Sequence, residues 1–199
     1  TTRYYSKRGL RLDPEFRYLT DDSRGILNVE YLFDDLERGD DRGLVDWRHV
    51  TRLRPRTRLL IDAADVSDAD YFEDLGVGFE GTSVTFLNRI AELRHDTAHW
   101  RLRARAHDSL VIDQLLADED EPYTLLQQLS ALGRWDDLPL GFETSFRAEA
   151  TNFQRDTGPE GLRIDAEPGV GWRAERRGAY VAAGAEWRYT GYSLDGVDA

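Results

Sequence analysis

Apolar and polar residues alternate with a period of two along most of this 199-residue chain. The clearest example is residues 98–107, where even positions are alanine, tryptophan or leucine and odd positions are histidine or arginine, without an exception. Successive side chains of a β-strand point to opposite faces, whereas a helix repeats every 3.6 residues and would mix the two groups. This segment is therefore predicted to be a strand with one apolar and one polar face.

The same alternation recurs along the chain and predicts an all-β protein. Clean repeats occur at residues 11–18, 27–33, 142–150, 162–173 and 179–190, and weaker ones at 44–52, 58–66, 83–93 and 123–135. Residues 82–93 and 109–121 also fit a helical period, although the surrounding strands favour strands there too. Short turns and longer polar connections alternate strictly between the repeats. This arrangement predicts an antiparallel up-and-down meander of about eleven strands, and it is typical of an outer-membrane barrel rather than a Greek-key sandwich.

Composition limits the chemistry of the chain. There is no cysteine, which excludes disulfides, a thiolate zinc site and a cysteine nucleophile in this stretch. The formal net charge of −12 argues against a nucleic-acid partner, because a phosphate backbone attracts a basic surface. With 40% apolar and 11% aromatic residues the chain is too hydrophobic to be disordered. No apolar run approaches the roughly 18 residues of a membrane helix.

Three local motifs suggest ligands, and each has a simpler explanation. Residues 76–81 match the G-x-G-x-x-G nucleotide fingerprint, but acidic neighbours and a following β-branched segment favour a glycine loop. His95 and His99 have the i, i+4 spacing of zinc ligands on a helix, yet they flank a predicted tight turn. The acidic run at residues 118–121 fits a solvated loop. The sequence therefore predicts no enzyme, no cofactor and no metal site.

The distribution of aromatic residues and charges indicates which solvent each face contacts. Aromatic residues lie towards strand ends on the apolar faces, as in the interfacial girdles of membrane barrels, while the polar faces carry charges of both signs. These aromatic residues are Tyr18, Phe33, Trp100, Trp135, Phe142, Trp172, Trp187 and Tyr189. The pattern favours a transmembrane barrel, with a soluble β-sandwich or barrel as the alternative.

Several short strings resemble the barrel of the LptD family of outer-membrane lipopolysaccharide-assembly proteins, also called organic solvent tolerance proteins. The strings are RYYSKRG at residues 3–9, EFRYL at 15–19, EYL at 30–32 followed by Asp34 and Asp35, WRH at 47–49, VSDADYFED at 66–74 and EP at 167–168. They occur in family order over nearly the whole chain. One departure is Thr2, which the family often follows with a proline near the lateral opening; Pro14 on the next strand could serve similarly.

The resemblance implies that residues 1–199 are a single segment, the N-terminal part of a larger transmembrane barrel in the outer membrane of a Gram-negative cell. The implied function is insertion of lipopolysaccharide into the outer leaflet, with lipid A leaving through a lateral opening and the sugar chain passing through the lumen. The implied partners are lipopolysaccharide, outer-membrane lipid, the plug lipoprotein LptE, and the periplasmic LptA bridge through a preceding domain.

Two groups of residues are the candidate site. The first is predicted to face the lumen and to touch the glycan or the plug, and it comprises His99, Arg101, Arg103, Arg105, Arg147, Glu149, Arg163, Asp165, Glu167 and Arg188. The second is the family-motif loop with Ser67, Asp68, Tyr71, Phe72 and Asp74. Two other functions stay open from the residues alone, namely a porin-type diffusion channel and a soluble acidic β-sandwich that binds glycans or proteins.

Overall fold

A single antiparallel sheet contains all the strands of the computed structural model, which describes residues 1–76, 85–112, 124–154 and 160–195. The elements are β1 (Thr2–Tyr5), β2 (Gly9–Leu12), β3 (Glu15–Leu19), β4 (Ser23–Leu32), β5 (Arg42–Arg54), β6 (Thr57–Val66), α1 (Tyr71–Leu75), β7 (Phe86–Asp96), β8 (Trp100–Val111), β9 (Thr124–Leu138), β10 (Phe142–Gln154), β11 (Glu160–Arg176), β12 (Ala179–Glu186) and β13 (Tyr189–Asp195). Among these residues there is no helix with the length and apolar character needed to span a membrane.

The thirteen strand segments form eleven rows, because two of the rows are interrupted strands. Arg11 pairs with Leu32 and Glu15 pairs with Asn28, so β2 and β3 keep one register along β4 across the break at Pro14. In the same way β12 and β13 lie end to end along β11 without a change of register. The prediction of an all-β up-and-down meander with about eleven strands is confirmed. The sheet is open in this part of the chain, which is consistent with a partial barrel.

Strand accounts for the described parts of the two segments with an ambiguous period, apart from Thr85 and Ile112 at their ends. Residues 86–96 form β7, and residues 109–111 end β8. The helical alternative is therefore wrong for these residues, because pairing with neighbouring strands satisfies their backbone groups. Residues 113–121 of the second segment lie outside the described part of the chain.

The sheet leaves most of its apolar face uncovered. Within the described residues, four apolar side chains are buried, and three of them, Leu32, Tyr71 and Leu75, form one small cluster where α1 packs on the sheet. Large apolar side chains elsewhere are exposed, for example Phe16 at 61% and Leu129 at 56%. A sheet normally buries its apolar face against a second layer, so this face requires another apolar environment.

Aromatic side chains on the apolar face pack close to the short turns. Trp100 and Trp135 meet edge to face with ring centroids 5.0 Å apart, directly over Gly133. A Cβ at Gly133 would lie 2.8 Å from the Trp135 ring, so glycine leaves the space over the strand that the two rings occupy. The predicted aromatic positions near strand ends thus include a contiguous cluster on β8 and β9.

Candidate functional site

The predicted lumen-facing residues of the central strands share one face of the sheet. Arg103 lies opposite Arg94 on β7 and Ser130 on β9. Directly opposed residues in an antiparallel pair point to the same side, so register assigns a common face. The opposed pairs Arg147–Glu167 and Glu149–Asp165 extend this face across β10 and β11. We call it the polar face; it carries Arg101, Arg103, Arg105, Arg147, Glu149, Arg163, Asp165 and Glu167.

Ion pairs connect neighbouring strands across the polar face. Arg147 binds Glu167 at 3.0 Å, and Arg163 binds Glu149 one strand away. Asp165 accepts hydrogen bonds from Arg188 at 3.0 Å and from the Thr190 hydroxyl at 2.6 Å, which brings Arg188 to the same face. These pairs link β10, β11 and β13, and they hold long side chains flat against the sheet.

Positive charge is in excess at the centre of the polar face. A groove of about 320 Å³ is lined by the arginines Arg101, Arg103, Arg147, Arg163 and Arg188 and by only two carboxylates, Glu149 and Asp165. The neighbouring Arg105 has a buried Nε with no hydrogen-bond partner among the described residues. Arginine presents a planar fork of donors that suits phosphate and carboxylate groups. The groove therefore has the chemistry to contact an anionic ligand, even though the whole chain is acidic.

His99 differs from the other predicted members of this group. The tight turn at residues 97–99, closed by a hydrogen bond from the Thr97 amide to the Trp100 carbonyl, ends the alternation before β8 begins. His99 therefore stacks on Trp135 at 5.9 Å and its Nδ1 lies 3.2 Å from the Arg134 carbonyl oxygen. It does not extend the row of arginines on β8.

The family-motif loop is held by a cluster of arginines and aspartates. Arg42, with 1% of its side chain exposed, lies 2.6 Å from Asp68, 2.7 Å from Asp74 and 3.2 Å from Asp35. Arg8 adds contacts to Asp35 at 2.8 Å and to Asp74 at 2.9 Å. We call these five residues, with Arg38, the arginine–aspartate cluster. It joins the β1–β2 turn, the β4–β5 connection and the motif loop at one end of the sheet.

Helix α1 closes this cluster against the sheet. The Tyr71 hydroxyl donates to Glu30 of β4 at 2.7 Å, and the Leu75 carbonyl accepts a hydrogen bond from the buried Arg11 at 3.1 Å. Phe72 packs edge to face on Tyr71 with centroids 5.8 Å apart. Ser67 begins the loop, since its hydroxyl accepts the Gly43 amide at 3.1 Å and donates to Asp68 at 2.8 Å. All five predicted loop residues thus lie in one structural unit.

The cluster and the row of arginines occupy the same side of the sheet. Leu44, two residues after Arg42, lies opposite Val66; further along β6, Leu60 lies opposite Glu92, which lies opposite Arg105. Each step keeps to one face because every second residue of a strand points the same way. The motif loop therefore folds over the polar face, at the end of the sheet where the longer connections lie.

The surroundings of the loop alter the ionisation of its groups. Burial alone would raise the pKa of Asp68, but hydrogen bonds from Arg42 and Ser67 outweigh it and hold that pKa below its usual value. Asp35 is fully enclosed, yet the Glu37 amide and the Arg8 and Arg42 guanidinium groups also lower its pKa. Burial, together with the hydrogen bond to Glu30, raises the pKa of Tyr71. Asp35 and Asp68 are therefore ionised at neutral pH.

The anchoring residues Arg8, Arg11 and Arg42 were missed by sequence reasoning, as was Asp35 as a member of the site. The partners are 7 to 64 residues apart in sequence, and periodicity predicts a face but not which charges meet. The available signal was the position of Arg8 and Asp35 within or beside family-like strings.

The other motifs stay without support from the structure. Within the described ranges no group of three or more histidine or carboxylate side chains is arranged to hold a metal ion. His95 bonds to Thr57 at 2.8 Å rather than facing His99. The acidic run at residues 118–121 and residues 77–81 of the glycine motif lie outside the described part of the chain.

Comparison with known proteins places this geometry in one family. Residues 40–199 match the family model LptD, described as LPS transport system D. The chain is 32% identical to the LPS-assembly protein LptD of Idiomarina loihiensis, covering 98% of this chain and 26% of that protein. The corresponding values are 32%, 98% and 27% for the protein of the same name from Nitrosococcus oceani. They are 35%, 97% and 26% for that of Thiobacillus denitrificans. The chain thus spans about a quarter of the length of the curated relatives it matches.

Proposed function

The chain belongs to the LptD family, and from this we propose that it forms part of an outer-membrane barrel that inserts lipopolysaccharide into the outer leaflet. The observation that carries the proposal is the two-sided sheet in a chain of this family. One side is an arginine-rich polar face and the other is an uncovered apolar face. The relatives are named as assembly proteins, and we propose transport without a catalytic step.

The apolar face meets lipid in this proposal. Side chains such as Leu129 and Val181 are 56% and 62% exposed, and their contact with hydrocarbon has no free-energy cost. In water they would form part of a large unburied apolar surface. Within the described part of the sheet, pairing with neighbours on both sides satisfies the backbone groups of the interior strands, which a bilayer demands. The strand rows not contained in this chain would have to pair with β1 and with the row of β12 and β13 to remove the two open edges.

The polar face lines the lumen and conducts the sugar part of lipopolysaccharide. Saccharides and their phosphate or carboxylate groups exchange water for guanidinium and hydroxyl donors, and the groove between Arg101 and Arg188 supplies five arginines. Glu149 and Asp165 offset part of the positive charge of the five arginines. Contacts between the arginines and the sugar chain can therefore form and break as the sugar chain moves through the lumen. Lipid A would leave sideways into the membrane, as the family relationship implies.

The partners follow from the same assignment. LptE, as a plug in the lumen, would touch the polar face, and the LptA bridge would join through a domain that precedes the barrel. The arginine–aspartate cluster keeps the motif loop on the wall of the lumen, where Arg42 and Asp35 are fully enclosed. A fixed loop leaves the centre of the lumen open for the glycan and the plug.

Charge reversal in the groove of the complete protein tests the proposal. Arg147→Glu places a third carboxylate in the groove beside Glu167, its present partner at 3.0 Å. We expect impaired lipopolysaccharide delivery, measured as entry of bulky antibiotics through the outer membrane and as less newly made lipopolysaccharide at the cell surface. Arg177→Glu, in the exposed turn between β11 and β12, is the matched control with the same charge change.

Equal permeability in the two variants, at equal barrel abundance, would contradict a role for the polar face. Ion conductance by the purified protein with no dependence of cell-surface lipopolysaccharide on it would instead indicate a porin-type channel. Monodisperse behaviour of the complete protein without detergent would indicate a soluble β-sandwich.

A further inference from the structure

Three charged residues interrupt the apolar face on β6, β7 and β8. Arg89 lies 2.7 Å from Asp65 and 3.1 Å from Asp108, and Thr124 donates a hydrogen bond to Asp108 at 3.0 Å. Register places them on the apolar face, because Asp65 lies opposite Val45 and Arg89 opposite Ala63 and Asp108. We call Asp65, Arg89 and Asp108 the rim triad.

The opposite boundary of the apolar face on these strands is also polar. Thr57 and His95 lie opposite each other near the short turns and share a hydrogen bond of 2.8 Å. Between Arg89 and His95, β7 offers only Ala91 and Leu93 to the apolar side. Six residues span about 20 Å along a strand. With the tilt of about 40° usual in membrane barrels, this corresponds to about 15 Å across the membrane.

Strand β11 carries a much longer apolar band on the same face. Its apolar residues extend from Leu162 to Trp172, through Ile164, Ala166, Pro168 and Val170. Ten residues correspond to about 33 Å along the strand and about 25 Å across the membrane, the usual height of the apolar band on such barrels. The band is therefore about 25 Å high at β11 and about 15 Å at β7.

We propose that the outer membrane is thinned beside β6–β8, with lipid headgroups reaching down to the rim triad. The inference rests on the membrane-spanning part of the proposed function and adds a local membrane shape to it. If the bilayer kept its full height there, either the rim triad or the Thr57–His95 pair would lie about 10 Å inside hydrocarbon. Charged side chains on the lipid face are expensive at that depth, and a shorter apolar band is met by local thinning.

Spin labels at known heights test the thickness of the bilayer beside β7. A spin-labelled amino acid is placed at Ala91, at Leu93 or at Ala166 of β11 in the complete protein, reconstituted in outer-membrane lipid vesicles. Collision with oxygen and with a water-soluble nickel complex gives the depth of each label. We expect both β7 labels about 5 Å from a headgroup boundary, and the Ala166 label about 10 Å from one.

A bilayer of full thickness beside β7 predicts different depths for the two spin labels on that strand. At least one of the Ala91 and Leu93 labels would then be as deep as the Ala166 label, and that outcome overturns the proposal. Labels that all report water would instead contradict the membrane-spanning function itself, so the two failures are distinguishable.

Removing the charges tests their part in setting the thickness. In the variant Asp65→Leu, Arg89→Leu, Asp108→Leu the apolar band of β7 is extended towards the longer connections. The Ala91 label should move about 5 Å deeper while the Leu93 label stays near its boundary. An unchanged Ala91 label in this variant would show that the rim triad does not set the local headgroup level.

Discussion

Replacement of Arg42 by methionine in the complete protein tests the anchoring of the motif loop. Methionine keeps most of the side-chain volume and removes the charge, so the packing beside Tyr71 is largely retained. The substitution leaves Asp35, Asp68 and Asp74 without the guanidinium that lies within 3.2 Å of all three. Asp35 is the critical one, because its side chain has no exposed surface.

The expected cost follows from burial. Removing one partner of a buried ion pair costs about 3–5 kcal/mol, since the remaining charge is left uncompensated. Asp68 and Asp74 keep about a quarter of their surface exposed, and Arg8 still lies 2.8 Å from Asp35 and 2.9 Å from Asp74, so part of the compensation remains. The lower end, about 3 kcal/mol, is therefore expected for release of the loop. That corresponds to about a hundredfold shift in the equilibrium between the docked and released loop.

Hydrogen exchange of the α1 amides measures this release. The Asp74 and Gly76 amides donate to the Asp70 and Phe72 carbonyl oxygens, both at 2.9 Å, so they exchange only when the loop opens. In Arg42→Met we expect exchange of these amides to become about a hundredfold faster, while amides in β10 and β11 keep their rates. The local response separates release of the loop from unfolding of the sheet.

Arg52→Met is the matched control, since Arg52 lies on the same strand and binds Asp22 at 2.9 Å. Both side chains of that pair are more than half exposed, and such pairs contribute about 0–1 kcal/mol. If Arg42→Met accelerated exchange in α1 no more than Arg52→Met, burial of the arginine–aspartate cluster would not anchor the loop, and the reasoning would be wrong.

Three further predictions concern the loop and the turns. The pKa values of Asp35 and Asp68 are lowered in the fold, so their contribution to the stability of the docked loop is complete above about pH 4 and is lost as the pH falls through the lower folded values. Hydrogen exchange of the α1 amides, corrected for its intrinsic pH dependence, should therefore accelerate only below about pH 4. Tyr71→Phe removes one hydrogen bond to the Glu30 carboxylate, whose side chain is 32% exposed; this should cost about 1 kcal/mol and speed α1 exchange several-fold without changing the β-sheet circular dichroism. Gly141→Ala should lower the unfolding midpoint in urea more than Gly178→Ala, because both glycines have positive φ but only at Gly141 would a Cβ meet a backbone oxygen, at 2.1 Å; equal midpoints would contradict this.

The period of two predicted the faces of the strands correctly because side-chain direction in a strand depends only on sequence position. Arg101, Arg103 and Arg105 lie on one face for that reason, and register carries the face to Arg147 and Arg163. The alternation also continues through the breaks at Pro14 and Trp187, where the strand is interrupted but the register is kept and a backbone hydrogen bond to the neighbouring strand remains. Counting rows rather than paired segments is what gives eleven.

The arginine–aspartate cluster could not be predicted in the same way, because pairing of charges depends on how loops fold back. Arg42 and Asp68 are 26 residues apart, and Arg11 reaches the Leu75 carbonyl across 64 residues. The chain has 38 acidic and 26 basic residues, so many other pairings would satisfy the sequence equally well. His99 shows the opposite limit: the turn ends two residues later than the alternation suggests, because β8 begins at Trp100 and not at residue 98, and this is enough to move the His99 side chain out of the row.

The acidic composition argues against an anionic ligand only if that ligand responds to the net charge of the whole chain. A ligand in the groove responds to the charges close to it instead. At physiological salt, charges more than about 8 Å apart are largely screened. A phosphate in the groove would meet five arginines and two carboxylates, whereas most of the acidic surplus lies elsewhere. The local sign is therefore opposite to the net charge of −12. Affinity for a phosphorylated saccharide should thus depend on Arg147 and Arg163 and should change little when an exposed residue outside the groove, such as Asp136 near the end of β9, is neutralised. Equal losses from both kinds of substitution, measured as binding to the complete protein at about 0.15 M salt, would show that the ligand responds to total charge.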